Sequence, residues 1–307
     1  MNEELQRIHA DALGFYKSIR WRNGLCCPRC GSVSVYEGST HYCCSDCGHR
    51  FTDTSGTIFA SSKIPIKLWL LCIYYMFRMS RGISSRNLSK ILGVSQPTAW
   101  RMMNKIRSVI PREKVGGDLL ADELFLGPNW HYYPRKRKVK KARQRYHHYP
   151  LTKHEWMHLA NSDKAVVLGI YSANFKRSLC FDIIPFPATQ SSVKSAFLKL
   201  TTECTSLTTD YTSLYDCVEI YPHFKVDHSS ENYSTRANIR DTKGRIAKVF
   251  MASTNPLESI FSQVRRMFHG IYHHCSRERL QLYLNEYAFR YMYGSSSMGV
   301  LLEKLVQ

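Results

Sequence analysis

The chain has 307 residues, of which 44 % are hydrophobic and 22 % charged, a composition that excludes a disordered chain. Lys and Arg outnumber Asp and Glu by 43 to 24, so the formal net charge of +19 indicates a polyanionic partner, nucleic acid first. The longest apolar run, LWLLCIYYMF at 68–77, is about half the roughly 20 residues of a membrane span, which argues against a membrane protein.

The N-terminal segment predicts an amphipathic helix over residues 1–20, with Leu5, Ile8, Leu13 and Tyr16 on its apolar side. It is acidic and lacks the apolar stretch of a signal peptide. We therefore expect a cytoplasmic, nucleoid-associated protein, or a nuclear one in a eukaryotic host. In a reducing compartment, clustered cysteines hold metal more often than they form disulfides.

Six of the eleven cysteines fall within residues 26–47, in two CxxCG turns. Such turns supply thiolates to a tetrahedral Zn²⁺, and the 13 residues between them suit a small hairpin, so the segment predicts a zinc ribbon. The predicted ligands are Cys27, Cys30, Cys44 and Cys47. Cys26 and Cys43 would give CxxxC spacing, which fits less well, and both are left out. The alternatives are disulfides or free thiols.

Residues 82–107 predict a helix-turn-helix around the turn Gly93-Val94. Ser95 is a good N-cap for the second helix, and Pro97 suits its first turn. Outward-facing residue types that read bases or hold phosphates follow on that helix: Gln96, Thr98, Arg101 and Lys105. A plain helical hairpin with a solvated polar face is the alternative.

After Pro111 the pattern changes to short β-branched and apolar runs that alternate with helical stretches. These runs predict an α/β domain from about 115 to 294. The expected strands lie near 117–125, 165–171, 177–184, 205–210 and 223–227, and the expected helices at 191–202, 254–268 and 277–293.

Three carboxylates stand where such a domain brings strand ends and a helix start together: Asp122, Asp210 and Glu258. Convergent carboxylates are ligands for two Mg²⁺ ions that can act on a phosphodiester, and Arg265 can hold a nearby phosphate. Singly, each acid has a plainer explanation as a turn former or a helix-dipole partner. Rival acids for the three places are Glu123, Asp216 and Glu231.

Several separated motifs resemble those of the DDE transposases of bacterial insertion sequences of the ISXO-like group, whose eukaryotic relatives are the Merlin transposases. RWRNGLCCPRCGS and FTDTSGTIF are similar to the family's ribbon, and ISSRNLSKILGVSQPTAWRMMNKIR to its helix-turn-helix. NPLESIFSQVRRMFHGIYHH and LQLYLNEYAFRY resemble its final catalytic helix and C-terminal helix.

The resemblance implies an RNase H-like fold for the second domain, with Asp122, Asp210 and Glu258 as its catalytic acids. It departs from the family at Arg265, where a Lys is common, and at LFLGP, which replaces TYxGG. It implies binding of the terminal inverted repeats, cleavage of the 3′ ends and their transfer to target DNA, with Mg²⁺ (or Mn²⁺) as cofactor. Two ends cut in register imply at least a homodimer.

The expected architecture is multidomain. A zinc ribbon with an N-terminal helix occupies residues 1–60, a helix-turn-helix domain 61–112, and an RNase H-like α/β catalytic domain with a C-terminal helix 113–307. The basic run RKRKVKKARQR at 135–145 is either a solvated charge run or a contact for DNA phosphates. The alternative function is a non-catalytic DNA-binding regulator derived from such an enzyme.

Overall fold

A computed structural model describes residues 3–127, 135–148, 150–162, 164–172, 178–220, 222–226, 235–240, 246–273 and 275–306. The chain forms two compact units. Unit 1 comprises Met1–Pro111, Met267–His274 and Asn285–Gln307; unit 2 comprises Arg112–Arg266 and Cys275–Leu284. We expected residues 285–307 to belong to the catalytic domain at 113–307, together with the sheet. By their contacts these residues belong to unit 1 instead.

Unit 1 begins with two short helices, α1 (Glu3–Ala10) and α2 (Ala12–Arg20), in place of the single helix expected at 1–20. The break lies at Asp11, whose carboxylate accepts a hydrogen bond from Gly14 N at 2.8 Å and so caps α2. Because the helix restarts there, Ile8 and Tyr16 remain buried while Leu13 is exposed. The expectation for Leu13 was therefore wrong.

A three-stranded antiparallel sheet follows, with β1 (Val35–Glu37), β2 (Tyr42–Cys44) and β3 (Arg50–Phe51). Asp53, in the segment after β3, ties this small sheet to α2. Its carboxylate accepts hydrogen bonds from Trp21 Nε1 at 3.0 Å and Tyr42 Oη at 3.1 Å, and pairs with Lys17 at 3.3 Å. One acidic side chain thus orients the sheet against the N-terminal helix.

Three helices complete the first 111 residues: α3 (Ile66–Arg78), α4 (Ser85–Leu92) and α5 (Gln96–Arg107). Eight of the thirteen residues of α3 are buried, which makes it the central helix of the unit. Ser84 and Ser95 cap α4 and α5 through their hydroxyls, and Gly93 ends α4 with a φ of 66°. The predicted Ser95 cap and the turn at Gly93 are both confirmed.

The C-terminal segment contributes to the same core through helix α11 (Ser297–Val306). Phe289, Met298, Leu301 and Leu302 are all buried in one cluster with α3 and α5. Helix α11 was not predicted, although the apolar residues of SMGVLLEKLV recur at helical spacing.

A buried ion cluster lies within unit 1 at Glu286. Its carboxylate pairs with Arg107 Nε at 2.5 Å and with Arg290, and it accepts a hydrogen bond from Tyr272 Oη at 2.8 Å. Burial raises the pKa of Glu286, but the two guanidinium groups outweigh it and hold the pKa below its usual range. Gly82 is required beside this cluster, because a Cβ there would lie 2.4 Å from Tyr272 Oη.

Unit 2 is built on a five-stranded mixed sheet in the order β6-β5-β4-β7-β8. Its strands are β4 (Val115–Leu126), β5 (Ala165–Ser172), β6 (Ser178–Ile184), β7 (Thr201–Asp210) and β8 (His223–Val226). The pairs β6-β5 and β5-β4 are antiparallel, whereas β4-β7 and β7-β8 are parallel. All five expected strands are present, and β7 begins four residues earlier than predicted because helix α8 (Gln190–Leu200) ends sooner.

The two faces of the sheet are distinguished by residue alternation. Leu119 and Ala121 of β4, with Leu207 of β7, pack in one core with α8. Gly169 of β5 faces the opposite side, where a Cβ added to it would lie 2.7 Å from Phe261 and 3.3 Å from Leu257. Helix α9 (Asn255–Met267) therefore covers that second face at close range.

Two further pairs of structural elements were not predicted. Helices α6 (Arg135–Tyr146) and α7 (Lys153–Ser162) stand between β4 and β5, and strands β9 (Thr235–Arg240) and β10 (Ile246–Ala252) form a hairpin before α9. Helix α10 (Arg277–Tyr293) has residues in both units. The helices that the structure describes all fall short of the length and hydropathy that a bilayer span requires.

Candidate active site and metal centre

The four predicted cysteine ligands come together at the ribbon. Their sulfur atoms all lie within 4.8 Å of one another, with Cys27 Sγ to Cys47 Sγ and Cys30 Sγ to Cys44 Sγ at 3.6 Å. Four sulfurs at about 2.3 Å from a tetrahedral Zn²⁺ would be about 3.8 Å apart, so the geometry fits zinc. Cys26 and Cys43 are not members of this cluster.

The backbone of the first turn favours a thiolate. Burial raises the pKa of Cys27, but the N–H groups of Arg29 and Cys30 outweigh it and lower the pKa to about 7. Cys27 N–H donates to Ser32 O at 2.9 Å and Gly31 N–H to Cys27 O at 2.8 Å, which closes the turn. Gly31 and Gly48 adopt φ values of 75° and 65° just after the second cysteine of each turn, where only glycine is unstrained.

The four predicted DNA-contact residues of α5 differ in the partners that their side chains have within the protein. The Gln96 amide donates to Ser85 Oγ at 2.8 Å, and the Thr98 hydroxyl contacts Ser95 Oγ at 2.8 Å. Lys105 Nζ lies 5.8 Å from the Trp69 ring centroid. Arg101 is exposed and makes no hydrogen bond or ion pair with the described residues. The guanidinium of Arg101 is thus the group of the four that is open to a ligand.

Two of the three predicted catalytic acids lie level on neighbouring strands of unit 2. The parallel register of β4 and β7 pairs Leu119 with Leu207 and Leu120 with Thr208. Two residues beyond the last of these pairs, strand alternation puts the side chains of Asp122 and Asp210 on the same face, and the charge of Asp210 helps to raise the pKa of Asp122. Asp118 holds this register by accepting hydrogen bonds from Thr205 at 2.6 Å and Ser206 at 2.7 Å.

The third acid reaches this face on helix α9. Asp122 pairs with Gly169 across β4 and β5, so both residues point to the side that α9 covers. Leu257 contacts the sheet at Gly169, and Glu258 is the next residue of the helix, exposed at its first turn. Ser253 Oγ accepts a hydrogen bond from Asn255 N–H at 3.2 Å and helps to fix this helix start.

The pKa of Asp122 also indicates that the three acids lie near one another. Burial raises the pKa of Asp122 to about 7, with further upward contributions from the charges of Asp210, Glu123 and Glu258. A carboxylate held among like charges is stabilised by a cation, so the donor set suits a hard metal ion with oxygen ligands. Among the described residues the three acids do not form a group as tight as the cysteines, whose ligand atoms lie within 4.8 Å.

The rival acids occupy other positions. Glu123 faces the α8 side, where burial raises its pKa and the neighbouring hydroxyl of buried Tyr215 offsets part of that rise. Asp216 is exposed and paired with Lys225. Glu231 lies outside the described residues. Glu123 therefore lies on the opposite face from Asp122, and Asp216 is held by Lys225.

Two cations of unit 2 lie close enough to influence one another. Arg265 is exposed on α9, seven residues after Glu258. Burial and the nearby charge of Arg265 lower the pKa of Lys164, which precedes β5. Lys164 was not predicted, because an isolated lysine before a strand carries no motif. Gly169 was not predicted either, because its role is set by a helix almost 90 residues away.

Two family models match parts of this chain. Residues 9–50 match the family model of the transposase zinc-ribbon domain, and residues 114–292 match that of the ISXO2-like transposase domain. An uncharacterized protein in transposable element ISH50 of Halobacterium salinarum is 32 % identical over 122 residues, 38 % of this chain. The chain therefore spans less than half of that relative's length, 41 %. With more than half of its residues in the second match, the chain belongs to the ISXO2-like transposase family.

Proposed function

We propose that this protein is a DDE transposase that binds the terminal inverted repeats of an insertion sequence, cleaves their 3′ ends and joins them to target DNA. The observation that carries the proposal is the convergence of Asp122, Asp210 and Glu258 on one face of a mixed sheet. The strand order, with three antiparallel strands followed by two parallel ones, supports an RNase H-like fold for unit 2.

The three carboxylates would hold the catalytic Mg²⁺ ions. When bound, these ions supply Lewis-acid stabilisation of a phosphodiester and a lowered pKa for an attacking hydroxyl. Asp122 and Asp210 are fixed by the strand register, whereas Glu258 is carried by the start of α9. Arg265 and Lys164 provide positive charge for the phosphates that flank the reacting bond.

The ribbon and the helices α4 and α5 would recognise the ends. The caps at Ser84 and Ser95 and the glycine turn between them support a helix-turn-helix in which α5 is the recognition helix. Arg101 is then the best placed of the predicted contacts, since its guanidinium can make two hydrogen bonds to guanine in a major groove. Because two ends must be cut together, the active complex would be at least a dimer.

Strand transfer tests the proposal directly. A labelled duplex carrying the terminal repeat that flanks the coding sequence is incubated with plasmid DNA and Mg²⁺. We expect joining by the wild type and a loss of at least about 100-fold in Asp210→Asn, the effect of removing several kcal/mol of metal stabilisation. Asp216→Asn is the matched control, because that aspartate is exposed and lies outside the carboxylate face.

The outcomes separate the two functions. If both the wild type and the control join strands while Asp210→Asn only binds the end, the transposase mechanism holds. If all three bind the end and none joins strands in Mg²⁺ or Mn²⁺, the protein is a DNA-binding regulator.

A further inference from the structure

The basic run at 135–145 folds as a helix rather than as a solvated tail. Helix α6 carries eight Lys and Arg residues among its first eleven positions. Like charges three or four residues apart destabilise a helix by a few tenths of a kcal/mol each, so this sequence opposes its own helix. A small apolar cluster holds it against α7; the cluster consists of Ala142, Tyr146, Leu151, Trp156 and Leu159.

The positive charge of this two-helix insertion has little acidic compensation. Residues 135–162 contain one carboxylate, Glu155. It accepts hydrogen bonds from Thr152 N at 2.8 Å and Thr152 Oγ1 at 2.9 Å, and it lies 3.3 Å from His148. Glu155 therefore caps α7, and the residues it contacts, Thr152 and His148, both lie outside α6.

Three cations of α6 are open to a ligand. Lys140, Arg143 and Arg145 are exposed and have no hydrogen bond or ion pair with any residue that the structure describes. Lys140 and Arg143 are one turn apart and so lie side by side on the helix surface. Such a pair suits the closely spaced charges of a phosphate backbone, of which duplex DNA carries one per about 3.4 Å of helix axis on each strand.

The insertion leaves the sheet at the end where Asp122 lies. Leu126 pairs with Ala165, and this pair is four residues, or about 13 Å along β4, from Asp122. The insertion and the carboxylate face thus belong to the same unit of the chain. An anionic membrane is a poor fit, because Ala142 and Tyr146 of α6 are taken up by the contact with α7.

We infer that α6, supported by α7, is a second DNA-contact surface that holds the phosphate backbone of a duplex without reading its sequence. The inference rests on the proposed function only for the identity of the polyanion as DNA. It assigns to the basic run a role separate from that of the ribbon and α5, which would select the terminal repeats.

Salt-dependent binding tests this inference on the full chain. The probe is a fluorescent duplex of random sequence that lacks the terminal repeat, and the variant is Lys140→Ala/Arg143→Ala/Arg145→Ala. Lys140 and Arg143 share one side of the helix, whereas Arg145 lies on another side. Loss of their two phosphate contacts is expected to lower the slope of log affinity against log salt by about 1.8 and to weaken binding at 100 mM salt by more than about tenfold. Alanine favours helix, so α6 should persist and the thermal unfolding temperature should be unchanged.

The control removes the same charge elsewhere in unit 2, in Lys114→Ala/Arg277→Ala/Arg279→Ala, all three exposed. Equal slopes and affinities for the two triple variants would overturn the inference. So would a selective loss of binding to duplex RNA or to anionic vesicles with DNA binding intact. Charge reversal to Glu at the three α6 positions should weaken DNA binding further.

The binding assay needs neither Mg²⁺ nor the carboxylates, so it is independent of catalysis. If no strand transfer is found but the α6 variant loses its salt slope, the proposed function fails and the DNA contact stands. If strand transfer is found and the α6 variant matches its control, the proposed function stands and the DNA contact by α6 fails.

Discussion

Asp122 shows how one residue can serve a metal site at the expense of stability. Its folded-state pKa is about 7, against 3.8 for an unperturbed aspartate, chiefly because the carboxylate is buried and then because Asp210 and Glu123 lie nearby. Below pH 4 the folded and unfolded chains both bind this proton. As the pH rises to 7 the unfolded chain loses the proton first, so ionisation favours unfolding by up to about 4 kcal/mol.

Asp122→Asn should therefore stabilise the protein in Mg²⁺-free buffer, because the amide cannot ionise. The rise in unfolding temperature relative to the wild type should be near zero at pH 4, grow through pH 7 and be complete by pH 8. Thermal unfolding monitored by circular dichroism across this range measures it, with Asp216→Asn as the control. Added Mg²⁺ should narrow the gap at pH 8 by stabilising the wild type. A constant difference at all pH values would contradict the assignment.

The cysteines provide a second prediction at this scale. Cys27 belongs to the four-sulfur cluster and Cys26 does not, although the two are adjacent. Cys27→Ser should lose about one zinc per chain and unfold the ribbon, since structural zinc contributes directly to folding. Cys26→Ser should keep the metal. Zinc content measured by atomic emission on both purified variants checks this, and equal zinc loss would show that the ligand set is different.

At the scale of helices and strands, Gly169 controls the approach of α9 to the sheet. A Cβ there would lie 2.7 Å from Phe261 and 3.3 Å from Leu257, too close for either to stay in place. Gly169→Ala should push the helix start outward and move Glu258 away from Asp122. Overpacking of this kind costs about 1–3 kcal/mol in stability.

Metal binding separates this displacement from simple destabilisation. In Gly169→Ala we expect at least a tenfold weaker Mg²⁺ affinity, measured by calorimetry at a temperature where the variant is folded. The double variant Gly169→Ala/Phe261→Leu, which returns space to α9, should recover part of that affinity. Unchanged Mg²⁺ affinity in the single variant would show that Gly169 does not position Glu258.

Local patterns predicted the parts of the fold that are stabilised locally. The five strands, the cap at Ser95 and the turn at Gly93 follow from alternation and capping residues. The helix expected at 254–268 is present as α9, and its buried side chains follow helical spacing: Leu257, Ile260, Phe261, Val264 and Met267. The face shared by Asp122 and Asp210 depends on a parallel register across about 90 residues, which a single sequence does not specify.

The parts that the sequence did not predict depend on distant or weak contacts. Helix α6 looks unfavourable by charge alone, and its support comes from Leu151, Trp156 and Leu159, which follow later in the chain. The hairpin of β9 and β10 joins two short segments without a strong alternating pattern. Glu123 and Tyr215 on the α8 side could not be distinguished from the Asp122 face until the alternation of β4 was known.

At the scale of the whole molecule, the chain returns to its first unit after completing the second. The expected boundary at residue 112 would make the N-terminal part a separable DNA-binding domain. The buried positions of Phe289, Met298, Leu301 and Leu302 argue that it is not, because these side chains fill the same core as α3 and α5. Each contributes roughly 1.5–3 kcal/mol by burial, so their sum is comparable with the 5–15 kcal/mol that stabilises an ordinary domain.

A fragment of residues 1–112 should therefore fail to fold cooperatively, even with zinc bound to its ribbon. We expect the fragment to lack a sharp thermal transition and to bind a hydrophobic dye. The full chain, in contrast, should unfold in a sharp transition and leave the dye unbound. The full-length double variant Leu301→Ala/Leu302→Ala should show the same weakness more mildly, with a loss of about 4–10 kcal/mol. A fragment with the cooperative transition of the intact protein would mean that the first 112 residues form an independent domain and that the C-terminal helix only covers it.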